Sequence, residues 1–186
     1  MKPWLLNVLA CPIDKHHPLE AYFYTWETSD EELDKINKEA GKKSQYFQKQ
    51  YEHLAKQIMD GTISVASLKE INDHTESMHT SELLVDVFKF LNRLEFEEDK
   101  SAENLLSRYS EGMDVLYRYL NLIEVEEGLL RCPECGRWYP IGNSVETIPE
   151  LMPDDLRDQE KDLAWLEKWS EKLPDSVKAE GKPYHL

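Results

Sequence analysis

Cys11-Pro12-Ile13-Asp14-Lys15 and Cys132-Pro133-Glu134-Cys135-Gly136 lie almost at opposite ends of the chain, and their likeness decides how it must fold. A C-P-x-C-G turn places two thiolates on one tight loop with backbone N–H groups aimed at sulfur, and a second such loop completes a tetrahedral cage of the kind that holds zinc. The two turns must therefore meet in space, and everything between them is an insertion. Asp14 stands where a fourth cysteine would sit, so the ligand set is three thiolates and one carboxylate: Cys11, Asp14, Cys132 and Cys135. His16 is the substitute fourth ligand, with His17 beside it, because imidazole also binds zinc well. The competing reading makes the three cysteines small buried hydrophobes and Asp14 a cap on its own turn.

The 186 residues, 40 % of them apolar and 10 % aromatic, belong to a folded globular protein. Met1 to Ala10 is far shorter than the roughly 20 apolar residues of a membrane span, so a soluble, cytoplasmic protein without membrane contact is expected. Three cysteines are an odd number, and a CxxC in such a setting points to metal or redox chemistry rather than a structural disulfide. The formal charge of −15, from 22 Lys plus Arg against 37 Asp plus Glu, opposes direct nucleic-acid binding, which rests on clustered cations.

Residues 4–10 are nearly all apolar and form either a buried strand or one helical turn. Leu19 to Trp26 is aromatic-rich and partly alternating, as a strand leaving the first knuckle would be. Ser29-Asp30-Glu31-Glu32 is a capping box. The stripe after it, Leu33, Ile36, Ala40, Phe47, Tyr51, Leu54 and Ile58, is helical, with Gly41 as an interruption and Gly61 as a C-terminal cap. Two further stripes, Leu83 to Leu94 and Leu105 to Leu120, complete an inserted bundle of three or four helices. Leu122 to Arg131 reads as a hairpin turning near Gly128, and Trp138 to Ile141 as a strand whose Pro140 belongs on an edge. Pro153-Asp154-Asp155 opens a C-terminal helix striped by Leu156, Leu163, Leu166, Trp169 and Leu173. The expected class is α+β: a small antiparallel zinc-ribbon-like sheet domain from residues 1–26 and 122–152, a helical insertion at 27–121, and a C-terminal helix and tail at 153–186.

No catalytic constellation accompanies these elements. His53, His74, His79 and His185 lie in polar helical or terminal stretches, and the chain has neither a glycine-rich phosphate loop nor an H-E-x-x-H motif. Nucleotide and S-adenosylmethionine binding by this chain itself are not expected. Two further readings stay open on the residues alone: a free-standing zinc-ribbon binding module, and a thiol redox protein using Cys132 and Cys135.

Leu5 to Pro12, then Pro18-Leu19, then Glu124 to Ile141 with Ile148-Pro149, are similar to the zinc-ribbon activator subunit of tRNA, rRNA and release-factor methyltransferases. That family carries a helical domain of variable length between its knuckles and usually has two cysteines in each, so Asp14 departs from its pattern. The resemblance implies a non-catalytic subunit that forms a heterodimer with an S-adenosylmethionine-dependent methyltransferase, adds a strand to its sheet and covers an apolar surface. Trp138, Tyr139, Pro140, Ile141, Ile148, Pro149, Leu151 and Met152 are the partner-binding candidates, with packing on this chain's own helices as the alternative for each.

Overall fold

The computed structural model describes residues 1–38, 45–63 and 65–186, with 45–48 as backbone alone. A 3-10 turn, Pro3–Asn7, precedes strand β1 (Glu20–Trp26). Helices α1 (Asp30–Lys38), α2 (Gln45–Met59) and α3 (Val65–Lys69) follow, then strand β2 (Ile71–Asp73). After it come α4 (Met78–Glu95), α5 (Ala102–Ser107) and α6 (Ser110–Asn121). The chain then returns to the sheet as β3 (Val125–Arg131) and β4 (Trp138–Ile141), and ends in a second 3-10 turn (Asp154–Leu156), α7 (Gln159–Lys168) and α8 (Asp175–Glu180).

Local chemistry sets several of these boundaries. The Ser29 hydroxyl accepts from Glu32 N–H at 3.3 Å while the Glu32 carboxylate accepts from Ser29 N–H at 3.0 Å, the reciprocal capping box expected at α1. The Ser77 and Ser101 hydroxyls cap α4 and α5 by accepting from the N–H groups of Thr80 and Asn104. Gly61, at φ +77°, ends α2. Within the first expected stripe, Leu33 and Leu54 are buried, whereas Ala40, Gly41 and the Phe47 side chain lie outside the described residues.

The sheet order is β2-β1-β3-β4. β1 and β3 are antiparallel with Glu20 opposite Arg131, a pairing reinforced by an Arg131–Glu20 ion pair at 2.8 Å. β3 and β4 are also antiparallel. The expected all-antiparallel sheet is corrected by β2, which comes from inside the insertion and pairs parallel with β1, Ala21 opposite Ile71. Parallel pairing requires a long crossover, and α1, α2 and α3 supply it.

Gly128 does not turn a hairpin. β3 runs straight through it, because a Cβ there would meet the Tyr22 carbonyl oxygen at 2.6 Å; the missing side chain permits a close approach of two strands rather than a reversal. The actual hairpin is β3 to β4, turned by the second knuckle.

Both faces of the sheet are buried. Ala21, Phe23, Leu130, Tyr139 and Ile141 face the inserted helices within one core, whereas Tyr24, Leu129 and Trp138 belong to a second core with Trp165, Leu166, Leu173 and Val177 of the C-terminal segment. That is why Leu129-Leu130 and Trp138-Tyr139 are doubly apolar instead of alternating with polar residues. The C-terminal segment is not the single helix expected from Pro153. Leu156 is 66 % exposed, Arg157 is extended, and α7 starts only after Asp158, whose side chain accepts from the N–H groups of Glu160 and Lys161. Among the described residues no helix is long and apolar enough to cross a membrane.

Gly128→Ala is expected to destabilise the protein by about 1–3 kcal/mol through forced separation of β1 and β3. Urea unfolding with an unchanged m-value checks it.

Candidate metal centre

Because β1 begins where β3 ends, the loops before β1 and after β3 emerge at the same end of the sheet. Each is folded by the same backbone bonds. In the first, Lys15 N–H donates to Cys11 O at 2.9 Å and Cys11 N–H to His16 O at 3.0 Å. In the second, Gly136 N–H donates to Cys132 O at 3.0 Å and Cys132 N–H to Arg137 O at 2.8 Å. Lys15 and Gly136 occupy equivalent places and both have positive φ, 64° and 73°. Only glycine adopts that region without steric cost, so Lys15 is held there by the turn around it. Asp14 and Cys135 are therefore structural counterparts, each three residues after the first cysteine of its loop.

The four side chains converge. The ligating atoms of Cys11, Asp14, Cys132 and Cys135 all lie within 4.8 Å of one another. Cys11 and Cys135 sulfurs are 3.7 Å apart, and Cys132 sulfur is 3.4 Å from Asp14 Oδ2. A tetrahedral ion with zinc–sulfur bonds of about 2.3 Å has sulfur–sulfur edges of about 3.8 Å. The donor set thus fits a zinc-sized, thiolate-preferring cation. The His16 ring is not a member of the cluster; its backbone N–H donates to Asp14 Oδ1 at 2.9 Å and aims the carboxylate inward. His17 bridges Leu9 O, at 2.9 Å, and the Ser67 hydroxyl, at 3.0 Å, joining the loop to α3.

Protonation favours the same chemistry. The His16 N–H, followed by the Cys11 thiol, holds the Asp14 carboxyl well below the usual carboxylate range, so it is an ionised donor at neutral pH. Burial pushes the Cys132 thiol up to about 12, so an incoming cation must displace its proton. Tyr139 and Arg137 surround the cluster. The Tyr139 hydroxyl lies within hydrogen-bond distance of Cys11 sulfur, at 3.2 Å; burial, and then Cys11 itself, raises its pKa, so it retains its proton. Arg137, two residues beyond Cys135, grips Asp154 through Nε and Nη2 at 2.9–3.1 Å. Sequence reasoning gave neither residue a role at the cluster. The one available signal was strand alternation, which puts Tyr139 on the face from which the first knuckle approaches.

The expected docking strip is divided. Trp138, Tyr139 and Ile141 are at most 1 % exposed, and Pro140 is also buried. The C-terminal segment covers the outer face of this strip, and backbone bonds occupy the outer edge of β4. Gly142 N–H donates to Ile148 O, Glu150 N–H to Pro140 O, and Trp138 N–H to Lys182 O. Ile148 is 51 % exposed, and Pro149, Leu151 and Met152 are half-buried.

The mixed α+β scaffold gathers three cysteines and an aspartate from distant loops into one cluster. The chain belongs to the Trm112p-like family, which matches residues 2–144, and members of that family are methyltransferase activator subunits rather than catalysts. None of the curated proteins matches the sequence. Residues 145–186, including the whole C-terminal cover, lie beyond the family match.

Asp14→Ala is expected to weaken zinc binding by more than the about 10–100-fold that loss of an outer-shell partner costs, whereas Asp14→Cys strengthens it; competition with a chromogenic chelator measures both. Zinc affinity of the unaltered protein rises with pH between about 6 and 8, because protons leave the thiols on binding. Titration calorimetry in buffers of different ionisation enthalpy reads the protons released.

Proposed function

We propose that this protein is the non-catalytic activator subunit of one or more S-adenosylmethionine-dependent methyltransferases that modify the translation machinery, acting on tRNA, rRNA or a release factor in the cytoplasm. The observation that carries the reading is the family match across both knuckles, together with the clustering of all four candidate ligands. The centre is a zinc-ribbon-like site whose role is structural. It ties two distant loops into one rigid end of the sheet, and zinc held by Cys11, Asp14, Cys132 and Cys135 supplies that tie. No reacting group comes from this chain.

Activation then proceeds through binding. A methyltransferase whose folded, cofactor-competent form binds the subunit better than its other forms is shifted toward that form by mass action. The half-exposed run Ile148-Pro149-Glu150-Leu151-Met152 is the accessible part of the expected contact. Among the backbone bonds of the described residues, Leu151 N–H makes none outside helices and strands, which leaves it free for strand addition with apolar side chains beside it. The acidic balance of −15 assigns the cations that hold RNA to the partner.

The test is co-expression of the tagged subunit with RNA and release-factor methyltransferases from the same source, followed by pull-down. One-to-one capture and raised methyl transfer are the expected results. Ile148→Asp should lower the affinity at least tenfold while leaving the thermal midpoint unchanged. A charge at Ile141 is unsuitable because that side chain is buried in this chain's own core. Failure of every methyltransferase to bind would defeat the activator role.

A further inference from the structure

The second knuckle is bonded to more than its ligands. Lys182 N–H donates to Gly136 O at 3.1 Å, and Trp138 N–H returns the bond to Lys182 O at 3.1 Å, which places the C-terminal tail parallel to the chain at Arg137. Arg137, two residues beyond Cys135, reaches Asp154 at the start of the C-terminal segment through Nε and Nη2. Three residues further on, Arg157 lies 4.2 Å from the Trp138 ring centre, donates to Trp138 O at 2.5 Å and pairs with buried Asp162 at 2.7 Å. Trp165 stacks on the same indole at 5.7 Å, and the indole N–H donates to Tyr184 O at 2.8 Å. These contacts of the C-terminal segment are made to residues 136–138, which directly follow the candidate ligand Cys135.

We propose that the metal centre fastens the C-terminal segment: binding of the ion by Cys11, Asp14, Cys132 and Cys135 fixes the position of Gly136 and Arg137, and these two residues clamp residues 153–186 across the outer edge and face of the sheet. Arg137 is the positioning residue of the device. Its planar guanidinium holds the Asp154 carboxylate through Nε and Nη2 at once, a two-point grip that a lysine ammonium cannot make. Without the ion the loop loses its four-point anchor, and the Gly136 carbonyl and Arg137 fork no longer hold one geometry. Buried apolar contacts of Trp165, Leu166, Leu173 and Val177 keep the segment associated, so unfastening is a local loosening rather than unfolding.

One consequence rests on the activator role proposed above: a fastened segment closes the edge of β4, so the loaded subunit offers its partner only the Ile148–Met152 run. The clamp itself is independent of that role.

Amide hydrogen exchange of the full-length protein, followed by NMR with one equivalent of zinc and again after chelator treatment, tests the clamp. Stripping zinc is expected to raise exchange at Trp138 and Lys182 at least tenfold while amides of α4 and α6 change less than twofold. Arg137→Leu should exchange at the stripped rate whether or not zinc is bound, so that the metal dependence disappears. Asp154→Asn, which touches no sulfur, keeps the test decisive if Arg137→Leu folds poorly; it should loosen the segment while one zinc stays bound. Equal exchange with and without zinc, acceleration spread evenly over α4 and α6, retained metal dependence in Asp154→Asn, or failure to take up zinc would each overturn the proposal. Normal fastening with no methyltransferase captured would strike the activator role and leave the clamp standing.

Discussion

Antiparallel pairing of β1 with β3, in the register that sets Glu20 against Arg131, is the constraint on which the remaining architecture depends. It carries two loops from distant parts of the chain to one end of a sheet and presents their side chains to each other. A shift of one residue in that register would turn Leu129 and Leu130 to opposite faces and separate the two cores they serve. Gly128 lets the strands approach at the critical point, and the Arg131–Glu20 pair closes the end nearest the ligands. An ion held by the four converging side chains would bind the folded arrangement and not the unfolded chain, and so would stabilise by mass action what hydrophobic burial and the ladder already favour.

A small sheet buried on both faces needs two covers. The inserted helices provide the first, with Val87, Leu91, Met113, Leu116 and Leu120 in the same core as Phe23 and Leu130. Residues 153–186 provide the second, organised around one tryptophan. Trp138 carries an arginine against its ring, a stacked indole beside it and a hydrogen bond on its nitrogen. Burying side chains such as Trp165, Leu166 and Leu173 contributes on the order of 1.5–3 kcal/mol each, enough to make this cover part of the folded unit. A chain ending at the limit of the family match would leave Tyr24, Leu129 and Trp138 in water, and such a surface invites a protein partner. Here the same polypeptide occupies it, and Ile148 at its margin is left exposed.

Much of the architecture is legible in the residues because local chemistry and tertiary structure agree. The paired C-P-x-C/D turns, the Ser29–Glu32 box, the apolar stripes of α4 and α6 and the edge position of Pro140 all follow from spacing and propensity. Other features are hidden for identifiable reasons. A glycine inside a strand and a glycine in a hairpin turn look alike until the opposing carbonyl is placed, so Gly128 reads as a reversal. β2 has only three residues, Ile71-Asn72-Asp73, too few for alternation to register. Pro153-Asp154-Asp155 carries the marks of a helix start, yet Asp158 makes the better cap. The buried status of Trp138 depends on a segment that returns from the far end of the chain, and no spacing announces that return. The same holds for Tyr139, whose approach to the Cys11 sulfur exists only after both knuckles have closed, and for Arg137, whose partner Asp154 lies in that returning segment.

X-ray absorption at the zinc edge, on protein loaded with one equivalent of zinc, tests the closure most directly. The account predicts three sulfur neighbours at about 2.3 Å and one oxygen at about 2.0–2.2 Å, with the oxygen replaced by a fourth sulfur in Asp14→Cys. A shell of two sulfurs or fewer, or an oxygen shell unaltered by Asp14→Cys, would mean that the two knuckles do not form one site.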